Sequence, residues 1–360
     1  MIAENAGCRV LLGLSGGVDS GVAAMILKEQ GYNVTAARMI VHDGPDDDRL
    51  AYGCYGRGGR EETESARKLA EQLDIPFLTI DCTGPFKVLV LDYFRREYLA
   101  GRTPNPCVRC NETVKFGAFW ALAQTESSGF DFFATGHYAR TALWPGTDQI
   151  TIRRGADQTK DQSYFLYRLL PDVLARTIFP LGGLTKAEVR SLAAARGLVV
   201  HNKPDSQDFY GGDYADLLQE PGREGNIVDS AGRVLGRHQG FWRFTPGQRK
   251  GLGVAAAHPL YVLKVTPERN EVVVGPAAEN SYQACRVDDL NLFAPRPKPG
   301  TKLLARMRSS QPLREVIVTQ WQNDSMRVEF ARPVSGMAPG QSLVLYDGDL
   351  VVGGGVIVGL

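Results

Sequence analysis

The stretch 9-RVLLGLSGGVDSGVAAMILKEQG-31 decides the fold. Residues 9–14 form a short apolar run that ends in SGGVDS. The following GVAAMILKEQG has apolar residues at helical spacing and a glycine stop, so the order is strand, glycine turn, helix. The same alternation runs outward along the chain. NVTAARMIV reads as a second buried strand, 61-EETESARKLAEQL-73 as an amphipathic helix, and IPFLTIDC as a third strand. Helix signals return over 86–99 and 115–124, and FDFFATGHYAR reads as one further strand. In 181-LGGLTKAEVRSLAAARG-197, Thr185 with Glu188 three residues on has the pattern of a capping box. Strands alternating with helices imply an α/β fold, a doubly wound parallel sheet with helices on both faces. Ligands of such sheets sit beyond the carboxyl ends of the strands, where Ser15–Ser20, Met39 and Gly136-His137 fall.

After about residue 205 the texture changes. Helix signals fade and glycine punctuation thickens in YGGDY, PGREG, SAGRVLGRHQG and TPGQRKGLG. YVLKVTPERNEVVVG reads as a hairpin of two alternating strands. From about 281, short apolar runs alternate with turns, the pattern of a small β-barrel or sandwich. The expected organisation is a catalytic α/β domain over 1–204, a small central domain over 205–280 and a C-terminal β-barrel over 281–360.

The chain has 360 residues and a formal net charge of +1, which neither supports nor excludes a nucleic-acid partner. Its opening lacks the basic and apolar regions of a signal peptide, and no apolar run is long enough to span a bilayer. A cytoplasmic protein with no membrane partner is expected. The six cysteines are too sparse for a secreted disulfide scaffold, so free, metal-bound or catalytic thiols are expected. Cys8, Cys82 and Cys285 lie in or beside apparent strands and read as small buried hydrophobes.

The loop SGGVDS is not a Walker motif, because no Gly-Lys-Ser/Thr follows it. Its physics is related. Gly16 and Gly17 let backbone N–H groups converge, Ser15 and Ser20 offer hydroxyls, and the next helix presents its positive end to an anion. A carboxylate among phosphate-binding groups, Asp19, suits a Mg²⁺ ion bridging it to a polyphosphate. The plain alternative is a generic glycine turn.

A second stretch, 103-TPNPCVRCNETVKFG-117, has Cys107 and Cys110 boxed by prolines. Such a pair can be a redox disulfide, half of a metal site or the nucleophile of a covalent mechanism.

The SGGVDS string resembles the loop of the pyrophosphatase-loop ATPases, whose domain is of the adenine nucleotide α-hydrolase type. With TPNPCVRCNETVKFG, ATGHYAR, 160-KDQSYFLY-167, 245-TPGQRKGLG-253 and 340-GQSLVLYDGDLVVGGGVI-357, the chain resembles the tRNA-specific 2-thiouridylases over essentially its whole length. The resemblance implies an enzyme that replaces the C2 oxygen of a wobble uridine in tRNA with sulfur. ATP adenylates that oxygen and sulfur displaces AMP. By the same resemblance, Gly13, Leu14, Ser15, Gly16, Gly17, Val18, Asp19 and Ser20 cradle ATP, and Met39 and Gly136 lie against adenine and ribose. Asn105, Pro106 and Cys107 hold the target base, and Cys110 is in the catalytic position. His137, Lys160, Asp161, Gln162, Arg308, Ser309 and Gln341 match positions that contact tRNA. For His137 the bland alternative is a structural histidine at a strand end, and for Lys160-Asp161-Gln162 a solvated turn.

The sequence departs from this family at one point. Most members carry a second cysteine five residues after the aspartate of a Lys-x-Asp-Ser motif; in 203-KPDSQDFYGG-212 that position is Tyr210. The isolated Cys54, in 52-YGCYGRGG-59, follows the second strand on the carboxyl side of the sheet. Cys54, Cys107 and Cys110 together suit three irons of a [4Fe–4S] cluster, with the fourth open to sulfide. The alternatives are a Cys107/Cys110 persulfide and transient disulfide, a zinc site, or an unpaired Cys54. The sulfur donor is then free sulfide or a sulfur-relay protein. Rival functions are an ATP-pyrophosphatase ligase acting on a small molecule and a non-enzymatic RNA or cluster sensor.

Overall fold

The computed structural model describes residues 5, 7–42, 53–55, 59–126, 129–200, 208–210 and 212–359. They fall into two compact units. The first comprises residues 1–90, 107–212 and 349–351; the second comprises 91–106, 213–348 and 352–360.

The first unit is built on a parallel sheet of five strands. These are β1 (Arg9–Gly13), β2 (Asn33–Ile40), β4 (Phe77–Asp81), β5 (Phe132–Thr135) and β8 (Thr177–Ile178), in the spatial order β4-β2-β1-β5-β8. The crossovers at β1 set the register Leu12↔Ala36 on one side and Leu12↔Ala134 on the other. Successive side chains of a strand face opposite ways, and both faces here are covered. Val10, Leu12 and Ala134 join one core with Val22, Leu27, Leu69, Val189 and Ala193. Those partners come from three helices, α1 (Val18–Glu29), α2 (Gly59–Gln72) and α5 (Lys186–Ala195). Phe133 points the other way, with its ring 5.1 Å from Phe116 and 5.8 Å from Phe119. These two belong to a continuous helix made of α3 (Pro106–Cys110), a π-helical segment Asn111–Ala118 and α4 (Phe119–Glu126). The sheet is therefore doubly wound, as the alternation of apolar runs predicts.

Helix α5 starts at its capping box: the Thr185 side chain accepts from the Glu188 N–H, and the Glu188 carboxylate accepts from the Thr185 N–H. The helix over 86–99 is interrupted; a short α-turn, Thr83–Phe86, runs into a π-helical stretch, Lys87–Leu91, before α-geometry resumes over Asp92–Leu99. FDFFATGHYAR is not one strand. It breaks at Gly136-His137 into β5 and β6 (Ala139–Leu143), and β6 leaves the parallel sheet to pair antiparallel with β7 (Ile150–Arg154). Two short strands, β3 (Gly53–Tyr55) and β9 (Asp208–Tyr210), pair in parallel with Gly53↔Asp208 and Tyr55↔Tyr210.

The second unit holds two β-structures. A four-stranded sheet has the order β11-β10-β13-β12, formed by β10 (Gly225–Asp229), β11 (Val234–His238), β12 (Leu260–Thr266) and β13 (Glu271–Pro276). Its β12–β13 pair is the hairpin expected from YVLKVTPERNEVVVG, turned at Asn270 with φ of 49°. The other structure is a closed barrel of six strands in the order β14-β17-β16-β15-β18-β19, with β19 returning to pair with β14. Those strands are β14 (Tyr282–Leu292), β15 (Lys302–Arg306), β16 (Arg314–Gln322), β17 (Ser325–Val334), β18 (Ser342–Asp347) and β19 (Leu350–Gly359). The start of β19 also pairs antiparallel with β7, Leu350 opposite Arg153. No described helix is long and apolar enough to cross a membrane.

Candidate nucleotide and thiol site

Ser15–Ser20 leave the carboxyl end of β1 and turn into α1. Gly17 is the N-cap of that helix and offers no side chain, so the first N–H groups of a twelve-residue helix remain open to an anion. The loop shape is enforced locally. Gly16 has φ of +77°, and a Cβ on it would stand 3.1 Å from both the Ala66 nitrogen and the Glu62 carbonyl of α2. Only glycine satisfies both demands cheaply. The Ser15 and Ser20 hydroxyls are 3.1 Å apart, and Ser20 Oγ donates to the Gly17 carbonyl.

Two residues that sequence reasoning did not single out brace this loop. Arg38, at the carboxyl end of β2, is 9% exposed. It donates through Nη1 to the Ser15 carbonyl at 2.9 Å and through Nη2 to Glu62 at 2.6 Å. Lys186, the first residue of α5, places Nζ 2.7 Å from Asp19 Oδ1. The same oxygen accepts from Tyr138 Oη at 2.8 Å. The capping box before Lys186 was legible in sequence, but the 167-residue separation from Asp19 hid the ion pair. Met39 follows Arg38 and is half-buried. Gly136 ends β5 so close to the loop that a Cβ there would lie 3.1 Å from the Asp19 carbonyl carbon and the Ser20 nitrogen. This close approach explains why the position is glycine.

His137 is buried beside the cysteine-bearing helix. Its Nδ1 shares a 2.7 Å hydrogen bond with Thr135 Oγ1, and its ring stacks on Phe116 at 6.0 Å. Burial, with Lys115 nearby, holds its pKa well below 6.5, so the imidazole is neutral near pH 7. The three residues of the Lys160–Gln162 segment differ in setting. Lys160 is exposed. The Asp161 carboxylate is fully buried and accepts from Arg154 Nε at 3.0 Å, Gly155 N at 3.2 Å and Ser163 N at 3.1 Å. Gln162 Oε1 accepts from the Tyr138 N–H at 2.9 Å.

Cys107 and Cys110 occupy α3 at i and i+3, neighbouring positions on one side of a helix, and both are half-buried. Asn111, next to Cys110, is anchored by Nδ2 to the Phe165 carbonyl at 3.2 Å. Cys82 and Cys285 are buried as expected, whereas Cys8 is half-buried. The Cys82 thiol is pushed up to about 12 by burial, by the Asp81 charge and by Cys110. The Cys54 backbone lies in β3, alongside the strand that carries Tyr210; its side chain lies outside the described residues, as do residues 203–207. Among the described residues no set of three histidine, cysteine or acidic side chains is arranged to hold a metal ion.

In the second unit, Asn105 is half-buried and Pro106 is buried. Gln341 comes to this segment: its Nε2 is 3.4 Å from the Pro104 carbonyl, and Thr103 N donates to Pro339 O at 2.7 Å. Arg308 Nη2 reaches the carbonyls of Pro246 and Gly336, each at 3.2 Å, so it ties the TPGQRKGLG turn to the barrel. Ser309 beside it is half-buried.

Three family models match the chain in sequence. They are described as a tRNA methyl transferase HUP domain over residues 8–210, a tRNA methyl transferase PRC-barrel domain over 216–276 and an aminomethyltransferase beta-barrel domain over 282–357. Curated relatives match end to end. The tRNA-specific 2-thiouridylase MnmA of Endomicrobium trichonymphae is 44% identical over 358 residues, 97% of this chain and 99% of that protein. Those of Lachnoclostridium phytofermentans and Roseiflexus sp. are 40% and 42% identical, each with 97% of this chain and 99% of the relative covered. The chain therefore belongs to the tRNA-specific 2-thiouridylase family.

Proposed function

We propose that the protein is an ATP-dependent tRNA-uridine 2-sulfurtransferase. The observation that carries this reading is the pairing, in one unit, of a phosphate-cradling loop at Ser15–Ser20 with the helical thiol pair Cys107 and Cys110. A methyl transferase, the activity named in two of the family descriptions, has no need of a polyphosphate cradle or of paired thiols.

The open N–H groups at the start of α1 bind the polyphosphate of ATP. The Asp19 carboxylate, 31% exposed and a hard oxygen donor, suits Mg²⁺, which would neutralise charge on the phosphates. The C2 oxygen of a uridine turned out of its stack attacks the α-phosphorus, the bond to pyrophosphate breaks, and the oxygen becomes part of a good leaving group. Asn105, Pro106 and Cys107 hold that base, and neutral His137 donates or accepts a hydrogen bond without adding charge. A sulfur nucleophile then attacks C2, the C2–O bond breaks and AMP departs. Lys160, Asp161, Gln162, Arg308, Ser309 and Gln341 serve the tRNA, with Asp161 acting by shaping its loop.

The sulfur is presented by Cys54, Cys107 and Cys110. A thiolate trio suits three irons of a [4Fe–4S] cluster, which would hold sulfide at its open iron. The β3–β9 pairing brings the Cys54 backbone beside the strand of Tyr210, where most family members have their second cysteine, with Tyr55 rather than Cys54 in register with Tyr210. With sulfide as donor the transfer needs no oxidant or reductant.

The test is iron and acid-labile sulfide content, with the visible spectrum, on anaerobically purified protein and its Cys54→Ser variant. About four irons per chain, lost in the variant, support the trio. No iron after anaerobic reconstitution removes it and leaves a Cys107/Cys110 persulfide, which the i, i+3 spacing also suits. Release of AMP that requires tRNA tests the sulfurtransferase reading itself.

A further inference from the structure

Two residues outside the sites already assigned join the nucleotide loop to the stretch Asp157–Gln162, Tyr138 at Gln162 and Lys186 at Asp157. Tyr138 is the first. Its phenol donates to Asp19 Oδ1 at 2.8 Å, while its backbone is clamped to Gln162 from both sides. The Tyr138 N–H donates to Gln162 Oε1 at 2.9 Å, and the Gln162 N–H donates to the Tyr138 carbonyl at 3.0 Å. Gly155 closes the clamp, since a Cβ there would stand 2.7 Å from the Tyr138 carbonyl oxygen. Lys186 is the second. Its ammonium is 2.7 Å from Asp19 Oδ1, and its backbone N–H donates to Asp157 Oδ2 at 3.0 Å. Asp157 in turn organises the segment ahead of Lys160, through Thr159 N at 2.9 Å and its own carbonyl to Lys160 N at 3.1 Å.

Both side chains therefore converge on one carboxylate oxygen, and both backbones are fastened to one loop. Tyr138 is 2% exposed and Lys186 9%, so neither swings freely. Asp19 keeps its other oxygen for a cation, and its orientation is decided by what holds Oδ1.

We propose that Tyr138 and Lys186 are positioning residues that couple tRNA engagement at Lys160–Gln162 to the readiness of Asp19 for metal-bound ATP. A tRNA contact that shifts the loop is transmitted through the two rigid struts to Oδ1, so the position in which Asp19 meets the nucleotide's metal changes when tRNA binds. The coupling is reciprocal: bound nucleotide tightens tRNA by the same factor. The inference rests on the assignment of the Lys160–Gln162 loop to tRNA.

The experiment measures binding of Mg²⁺ with α,β-methylene-ATP, a non-reacting analogue, with and without a saturating unmodified tRNA transcript. Binding of that transcript is measured separately by anisotropy. In the full-length wild type, tRNA tightens the analogue by about fivefold or more, within the usual range of coupling between sites. Tyr138→Phe keeps the ring and the backbone clamp and removes only the bond to Asp19; it reduces that factor at least about threefold. Should this variant not fold, Lys186→Met, which retains the backbone bond to Asp157, gives the same readout. A purely structural tyrosine lowers both affinities alike and leaves their ratio intact, which overturns the coupling. A wild type that binds tRNA without any change in analogue affinity overturns it too, and leaves the tRNA reading standing. A wild type that does not bind tRNA overturns the functional reading itself.

Discussion

Arg38 donates a 2.9 Å hydrogen bond to the carbonyl of Ser15 while its other terminal nitrogen holds Glu62 of α2. A buried cation thus joins strand β2, the phosphate loop and the helix behind it. Removing it as Arg38→Met leaves Glu62, a side chain only 23% exposed, without its 2.6 Å partner. The expected loss is about 1.5–3 kcal/mol of stability, the range for hydrogen bonds to charged groups. Urea melts with and without ATP check it. The deficit should grow at saturating ATP, because a loop that has lost its brace binds the nucleotide less tightly and gains less stability from it; a deficit that ignores ATP would separate Arg38 from the loop.

Gly136 faces the backbone of Asp19 and Ser20 rather than flexible side-chain ends. Gly136→Ala must push the loop or the strand by a few tenths of an ångström. ATP affinity is expected to fall at least about tenfold, or 1.4 kcal/mol, with a smaller change in thermal midpoint. Equilibrium binding of ATP beside a melting curve decides this, and unchanged affinity would mean that β5 yields instead of the loop.

The depressed pKa of His137 makes a signed prediction for stability against pH. The folded state keeps this ring neutral, while the unfolded chain binds a proton near 6.5. Its stabilising contribution is full above about 6.5 and is lost as pH falls below that value, at up to about 1.4 kcal/mol per pH unit. His238, also depressed mainly by burial, adds a decline of the same sign. His137→Gln should therefore flatten, not abolish, the decline in unfolding free energy between pH 6.5 and 5. Identical slopes for variant and wild type would show that the imidazole is protonated in the fold.

Thiol reactivity should divide the cysteines. Cys82 and Cys285 are pushed up to about 12, Cys82 by burial, Asp81 and Cys110, and Cys285 by burial. The thiolate is the reactive form, so iodoacetamide at pH 8 should leave both unmodified in native protein and alkylate them in urea. Peptide mass spectrometry reads the result. Rapid native labelling of Cys82 would mean that the region beside Cys110 opens in solution.

The local elements of this protein are written in local sequence. RVLLGL followed by SGGVDS specifies strand and phosphate loop, because apolar runs and glycine turns act over a few residues. Thr185 and Glu188 set the start of α5 in the same way. The barrel is legible as alternating runs, although closure of β19 onto β14 is a matter of distant pairing. What the sequence could not convey is which remote groups share an atom. Tyr138 and Lys186 lie 119 and 167 residues from Asp19 and meet on one oxygen. Likewise the close approach of Gly136 to the backbone of Asp19 and Ser20 is not legible in FDFFATGHYAR. The β3–β9 pair brings the Cys54 backbone to the strand of Tyr210 across more than half the first unit's chain. Periodicity and capping are short-range forces that a linear reading captures; shared hydrogen bonds and close backbone approaches arise only when the parallel crossovers bring the carboxyl ends of the strands to one edge.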